Sequence, residues 1–541
     1  MFSLKDYKVK KNSLSTYIPW EALVAPGIIY NADNSLQKTW EYRGRDLDSS
    51  TDYELMNITA ALNNIFKRLG SGICVYLEAK RVKSSEYPTK EFPDLVSNMI
   101  DTERKNYFNS GQHFESRYYL TLQWMPPHKK ISKTYKLMYK TDQESIQEEA
   151  EYSSEMLQNF INICNRFYDA LREVVDECHE LTDEETLTYL HSTVSLTDHV
   201  VKVPLIPTDL RYRLCDTPLK GGMEPQLGNK WNKEYLAVIS IVSYPPAACP
   251  GMLDALNRLS MEYRWVTRYI CLDRYEGEGK ITTKRREWFS GQKSLPTMIK
   301  ETITKSESAM IETVNLERSN DADAALNEMA NDYVRFGYFT SCIVVHNSNS
   351  KILDSECRKI IQAYESNGFV VKREDINAVS AWLGSIPGQA YSNVRRPMES
   401  TINLCHLVPI NAVWAGESYN KHLDAPALCQ TQTAGSTPFR LNLHVTDVGH
   451  TMVVGPTGAG KSVLLNFLEM QIRGYKNARI FVFDKGGSSR AVAAGVGGKF
   501  YDLGSEAIGQ GQSFQPLRYI DQEDEKSGPL NGYNKYLYKK V

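Results

Sequence analysis

No run of apolar residues in this sequence is long enough to cross a membrane as a helix. Stretches such as Leu236 to Val242 and Met452 to Val454 fall far short of the roughly 18 to 20 residues required. The first residues, Met1, Phe2, Ser3, Leu4, Lys5 and Asp6, lack an apolar core, so no ordinary signal peptide is expected. The ten cysteines (Cys74, Cys164, Cys178, Cys215, Cys249, Cys271, Cys342, Cys357, Cys405 and Cys429) include no C-x-x-C pair. Neither a zinc site nor a disulfide framework is indicated, and the expected compartment is reducing and cytoplasmic. The ten histidines show no H-E-x-x-H spacing. An excess of charge of one sign is missing too: 63 Lys and Arg stand against 65 Asp and Glu, a formal net charge of −2. No global basic field recruits nucleic acid, so DNA contact is left open but not indicated by charge. Disorder is excluded by a composition that is 42% hydrophobic and 24% charged, with 32 Tyr and 17 Phe. At 541 residues the chain is too long for one ordinary domain.

Periodicity divides the chain. From Thr51 to Leu69 the apolar residues Leu55, Ile58, Leu62, Ile65 and Leu69 fall three or four apart, Thr51 and Glu54 can form a capping box, and Gly70 supplies a stop. This predicts an amphipathic helix running into a strand over Ile73 to Leu77. A second strand is predicted over Tyr118 to Trp124, then a long helix within Ser145 to Cys178. From Leu236 the pattern reads strand (Leu236 to Val242), Pro-rich turn, helix (Met252 to Met261) and strand (Trp265 to Ile270). It recurs as strand (Tyr338 to Val345), helix (Ile352 to Tyr364) and strand (Phe369 to Lys372), which suggests a split or duplicated α+β arrangement. Arg395 and Arg396 read as a solvated basic pair rather than a phosphate sensor. The expected organisation is an α+β N-terminal region over 1–220, a β-α-β containing subdomain over 221–415, a linker over 416–437 rich in Ala, Gln, Thr, Gly and Pro, and the start of an α/β P-loop domain over 438–541. In that last region Leu441 to Val445 reads as a strand, followed by a turn at Asp447 to Gly449.

The chemistry concentrates there. Gly455, Pro456, Thr457, Gly458, Ala459, Gly460, Lys461 and Ser462 match G-x-x-x-x-G-K-[ST], with a predicted strand before it at Thr451 to Val454 and an apolar helix after it at Val463 to Ile472. Glycines let successive backbone N–H groups turn toward phosphates, and the helix N-terminus adds unpaired donors and the positive end of its dipole. Lys461 is expected to reach the β and γ phosphates of ATP, and Ser462 to give its hydroxyl to Mg²⁺. Ile480 to Asp484 reads as another apolar strand ending in an acid. Only 22 residues separate Ser462 from Asp484, so this is expected to be the next strand in sequence rather than the magnesium-holding one. Asp484 and Lys485 can still lie near nucleotide, because strand carboxyl ends face the ligand crevice of an open α/β sheet.

The residues now resemble a family, the CagE/TrbE/VirB ATPases of type IV secretion and conjugative transfer, in particular its TrbE branch. The likeness is carried by Asp447 to Thr451 leading into the glycine loop, IFVFDKG at Ile480 to Gly486, GGKFYDLG at Gly497 to Gly504, SFQPLRYID at Ser513 to Asp521, LGSIPGQAYSNVRR at Leu383 to Arg396 and VWAGE at Val413 to Glu417. It covers most of residues 230 to 521 and is weak before about 200. The resemblance implies a RecA-like nucleotide domain in a cytoplasmic motor, peripheral to the inner membrane, that self-associates, as a hexamer, contacts other secretion-channel subunits and powers pilus formation or substrate transfer. It carries Lys461 and Ser462 over as nucleotide ligands. Family members continue past the FQPL segment into Walker B acids, a catalytic Glu and an Arg finger. No counterpart of the Walker B acid or catalytic Glu is found here, and the end of the chain departs from the family, so it is expected to be C-terminally incomplete and not catalytically complete alone. Two rivals stand beside the motor reading: a non-hydrolysing structural subunit that docks on the channel, and another DNA-pumping P-loop ATPase.

Overall fold

A computed structural model describes residues 14–46, 50–84, 87–126, 143–205, 208–291, 321–410, 412–433 and 435–502. Two compact units result: Met1–Glu86 with Phe108–Gly416 and Gln430–Phe439, and Tyr87–Tyr107 with Glu417–Cys429 and Arg440–Val541.

The first unit holds one sheet of thirteen strands. In chain order these are β1 (Trp20–Ala25), β2 (Ile28–Asn31), β3 (Leu36–Arg43), β4 (Ile73–Lys83), β5 (Phe114–Trp124), β6 (Glu177–Glu180), β7 (Leu219–Lys220), β8 (Gln226–Gly228), β9 (Lys233–Ser243), β10 (Tyr263–Cys271), β11 (Phe336–Asn347), β12 (Val370–Arg373) and β13 (Met398–Ser400). They pair in the order β1-β2-β3-β5-β4-β10-β11-β9-β8-β7, with β6 on β3, β12 on β9 and β13 on β11. Every one of these pairings is antiparallel.

That order contains a repeat. The set β6-β3-β5-β4 runs fourth, first, third, second in its own chain order, and so does β12-β9-β11-β10. This is the strand order of a β-α-β-β-α-β unit, in which each helix crosses over to return the chain to a strand two places away. In the first set the crossovers are α1 (Asp52–Phe66) and the helix Gln143–Arg172; in the second, the last crossover is the helix Ser350–Glu365. The two sets join edge to edge through their second strands, β4 and β10, over eight residue pairs from Tyr263↔Arg81 to Ile270↔Cys74.

The helix predicted over Met252 to Met261 is corrected to a 3-10 turn at Asp254–Arg258. Leu253 stands at its cap position and gives no side-chain hydrogen bond, so the donors that open an α-helix go without a capping side chain. By contrast α1 starts on Thr51, whose side chain accepts from Glu54 N while the Glu54 carboxylate accepts from Thr51 N, the predicted capping box.

Both faces of the sheet are covered. Strand alternation sends Val75, Leu77, Leu120, Leu122, Ile239 and Ile343 to one face, where Ile58 and Leu62 of α1, Phe160 and Phe167, and Leu353 and Ile360 meet them. Tyr119, Leu236, Val238, Cys342 and Val344 point to the other, against Leu187, Leu190 and Trp382. Each such side chain contributes about 1.5–3 kcal/mol on burial. At the β4–β10 junction a buried ion pair links the two sets: Arg264 donates to both Glu78 oxygens at 2.7 and 2.9 Å, and Tyr189 donates to Glu78 at 2.9 Å. Arg264 also donates to the carbonyls of Thr193 and Ser385. Burial opposes the Arg264 charge, but Glu78 outweighs it and the guanidinium stays charged, its pKa raised.

The motif Leu383 to Arg396 is seated against this sheet. Trp20 donates to Pro387 O at 2.8 Å, Gln123 to Gly388 O at 3.0 Å, and Arg268 to Ser392 O at 2.7 Å. Gly388 has φ +89, a conformation that favours glycine. Arg395 is half-buried and forms an ion pair with the buried Glu374, while Arg396 is exposed. The motif is thus bonded to the sheet through side chains of β1, β5 and β10. Residues 416–437 contain the short strands Tyr419–Asn420, Ala425–Pro426 and Cys429–Gln432, and Ala427, Leu428, Cys429 and Gln430 are buried. Among the described residues no helix is long and apolar enough to cross a membrane.

Candidate functional site

The second unit carries the glycine loop. Its helix spans Lys461–Ile472 and opens on Gly460, at φ +83. Gly458 is also left-handed, at φ +85. A Cβ at either would meet nothing within 4 Å, so backbone conformation rather than crowding calls for glycine here. The Lys461 ammonium folds back over the loop and donates to the carbonyls of Gly455 at 2.8 Å and Pro456 at 2.7 Å. Ala459 N donates to Pro456 O at 3.3 Å, which tightens the turn. Thr457 and Ser462 are exposed, and the N–H groups of the helix's first turn have no acceptor within the helix. Left-handed glycines, a helix N-terminus and an ammonium held over the loop bring cationic and N–H donors together in one exposed turn, and this donor chemistry fits a phosphate chain. Ser462, the one residue predicted to hold magnesium, stands exposed in the first turn of the helix.

Three predicted strands are corrected. Thr451 to Val454 and Ile480 to Asp484 are not strands, and in place of Leu441 to Val445 the strand lies at Pro438–Leu441, with an isolated bridge between Val445 and Val448. A strand exists only when a neighbour takes up its ladder bonds, and among the described residues none pairs with these segments. Their apolar side chains are open accordingly: Met452 is 85% exposed and Phe483 99%. The helix is borne out and starts at Lys461 rather than Val463.

Asp484 is engaged by its own loop. Its carboxylate accepts from Gly486 N at 2.9 Å, Ser488 Oγ at 2.8 Å and Ser489 N at 3.0 Å. The Ser489 N–H leads these bonds in pulling its pKa down, to about 2. Among the described residues no hydrogen bond or ion pair joins Asp484 or Lys485 to Gly455–Ser462. Asp502 is the last residue described, and Asp521 and Glu525 lie outside the described residues.

The sequence reading missed the seat of the loop's helix. Leu468, Met470 and Gln471 are buried, whereas Val463, Leu464 and Leu465 at the loop end are exposed. The buried end rests on segments far away in sequence, α2 (Leu95–Phe108) and its approach among them. Arg473 donates to Asp94 at 2.6 Å, the Arg104 guanidinium lies 4.7 Å from the Phe467 ring centre, and Tyr475 donates to Pro426 O at 3.2 Å. Lys90 donates to Leu428 O, and burial pushes its ammonium down to about 8. A capping acid before an amphipathic stretch was the only signal available for Asp94, and it announces a helix, not a partner.

With this geometry in view, comparison with known proteins places the chain first in a class and then in a branch of it. Residues 177–395 match the CagE, TrbE, VirB family, components of type IV transporter systems. Residues 27–132 match the N-terminal domain of the type IV secretion system ATPase VirB4/TrbE. The likeness therefore extends well before residue 200, where the sequence alone showed it only weakly. The conjugal transfer protein TrbE of Rhizobium radiobacter is 33% identical over 97% of this chain and 66% of its own length. A probable conjugal transfer protein TrbE from Sinorhizobium fredii is 32% identical over 64% of this chain and 51% of its own length. The type IV secretion system protein virB4 of Bartonella henselae is 22% identical over 96% of this chain and 64% of its own. The chain belongs to the VirB4/TrbE family of type IV secretion system components. It spans less than two thirds of the length of these relatives.

Proposed function

We propose that this chain is the ATP-binding motor component of a type IV secretion or conjugative transfer system, energising pilus assembly or substrate translocation. The observation that carries the reading is the glycine loop itself, with Gly458 and Gly460 left-handed and Lys461 opening the helix. In this reading 438–541 belong to an α/β, RecA-like P-loop domain, Gly455 to Ser462 hold the phosphates of ATP and Ser462 holds Mg²⁺. The metal ion supplies charge neutralisation on the phosphates when bound. Lys461 exchanges its two carbonyl acceptors for phosphate oxygens, a charge-assisted contact that replaces neutral ones. Self-association into a hexamer, contact with other channel subunits and a cytoplasmic place beside the inner membrane go with the same reading.

Binding and turnover separate here. Hydrolysis needs an acid for the metal and a group that positions water, and Asp484, the acid that ends the apolar run after the loop's helix, is committed to the N–H groups of Gly486 and Ser489. This favours ATP binding without rapid hydrolysis by the 541-residue chain alone. The test is phosphate release from the purified chain: background rates are expected, and several turnovers per second abolished by Lys461→Ala would overturn this aspect of the reading.

A further inference from the structure

A twelve-residue helix is a stiff rod of about 18 Å, so whatever holds one end sets where the other points. Among the described residues the helix Lys461–Ile472 is packed at its far end: Ser462, Val463 and Leu464 of its first turn are exposed, whereas Met470 and Gln471 of its last turn are buried. The seat of that last turn is built in large measure from Tyr87–Tyr107, the segment inserted between β4 and β5, which belongs to the same compact unit as the loop.

The contact has a definite centre. Asp94 stands just before α2, and one carboxylate oxygen accepts from Ser97 N at 2.8 Å in the manner of an N-cap. The other oxygen accepts from Arg473 at 2.6 Å, and Arg473 is the C-cap residue of the loop's helix. One carboxylate thus joins the positive end of one helix dipole to a cation at the negative end of another, an arrangement in which both charges are favoured by the dipoles they face. The Asp94 side chain is 12% exposed and that of Arg473 27%, so solvent screens the pair only partly. Burial alone would disfavour the Asp94 charge; the Ser97 N–H and the Arg473 hydrogen bond outweigh it and lower the pKa. Close approach reinforces the seat, since a Cβ at Gly474 would come within 2.8 Å of Lys90 and 3.0 Å of Phe92.

We propose that Tyr87–Tyr107 is a built-in positioning element for the phosphate loop, acting through the Asp94–Arg473 pair on the far end of the loop's helix. The proposal rests on the nucleotide reading above. It makes Asp94 and Arg473 positioning residues: neither touches nucleotide, and both govern where Lys461 is presented.

Asn caps a helix as well as Asp does, so Asp94→Asn removes the ion pair while leaving the α2 cap in place. Arg473→Gln removes the cation, and Arg473→Lys keeps it. ATP with Mg²⁺ is titrated into each full-length chain, and amide exchange of Ser97–Tyr107 is followed with and without nucleotide. Asp94→Asn and Arg473→Gln are expected to weaken ATP binding about fivefold or more, and Arg473→Lys to restore most of it. In the unsubstituted chain ATP is expected to slow exchange in Ser97–Tyr107, and this response is expected to vanish in Asp94→Asn with thermal unfolding unchanged. Tight binding by the unsubstituted chain, with equal affinity in all variants and no response in Ser97–Tyr107, would overturn the positioning role alone. Absence of ATP binding by the unsubstituted chain would overturn the nucleotide reading and this proposal with it.

Discussion

The sheet unit and the loop unit are built from similar sequence material and reach opposite outcomes. In the first, alternating apolar runs such as Ile73 to Ala79 and Leu236 to Ile241 lie between paired neighbours and are almost wholly buried. In the second, runs of the same character at Met452 to Val454 and Ile480 to Phe483 have no paired neighbour among the described residues and stand open. An apolar run is thus a demand for a partner, and burial follows only where the partner is supplied.

Substitutions that remove packing should separate the units most widely. Trp265→Ala, at a side chain with no exposed surface, is expected to cost about 3–5 kcal/mol in urea unfolding, whereas Phe483→Ser is expected to stay within about 0.5 kcal/mol. Comparable losses at the two sites would break the comparison. The joint between the two strand sets comes next. Arg264→Met leaves Glu78 buried without its cation and is expected to cost about 3–5 kcal/mol, and replacing Glu78 by Leu in the same chain is expected to recover most of that. A smaller effect tests the caps of the sheet unit: Thr51→Ala is expected to cost about 0.5–2 kcal/mol by leaving Glu54 N without its acceptor.

The loop unit offers a pH probe. Asp484 has its folded pKa depressed to about 2 by the Ser489, Ser488 and Gly486 donors, against an ordinary 3.8. The order it lends to the Gly486–Ser489 turn is then fully present above about pH 4 and lost as pH falls through about 2. A carboxyl chemical shift that titrates at the ordinary value would show that those three bonds do not hold the group in solution.

How much of this the sequence disclosed follows the same division. Local chemistry was legible: the Thr51 and Glu54 box, the 3.6-residue period of Leu353, Cys357, Ile360 and Tyr364, and the glycine loop each signal themselves within a few residues. The recurrence read between Leu236 and Lys372 falls within one strand set, β12-β9-β11-β10, and the matching set β6-β3-β5-β4 earlier in the chain was not read as its counterpart. Long-range partnership was not legible. Nothing local to Arg395 points to Glu374, nothing near Arg473 points to Asp94, and no periodicity at Ile480 to Phe483 can say whether a neighbouring strand lies alongside. The 3-10 turn at Asp254–Arg258 failed for a local reason that pattern reading underweights, the apolar residue at its cap.

The central claim is that the loop Gly455–Ser462 is a nucleotide-phosphate site, and equilibrium titration of ATP with Mg²⁺ into the unsubstituted chain and into Lys461→Ala tests it most directly. Among the described residues the Lys461 ammonium donates to the Gly455 and Pro456 carbonyls of its own loop, so its loss should leave the fold intact while removing a charge-assisted contact worth about 1.5–3 kcal/mol. The account predicts saturable binding weakened about 10- to 150-fold by Lys461→Ala at unchanged unfolding temperature. Equal affinity in the two chains, or no saturable binding in either, would contradict it.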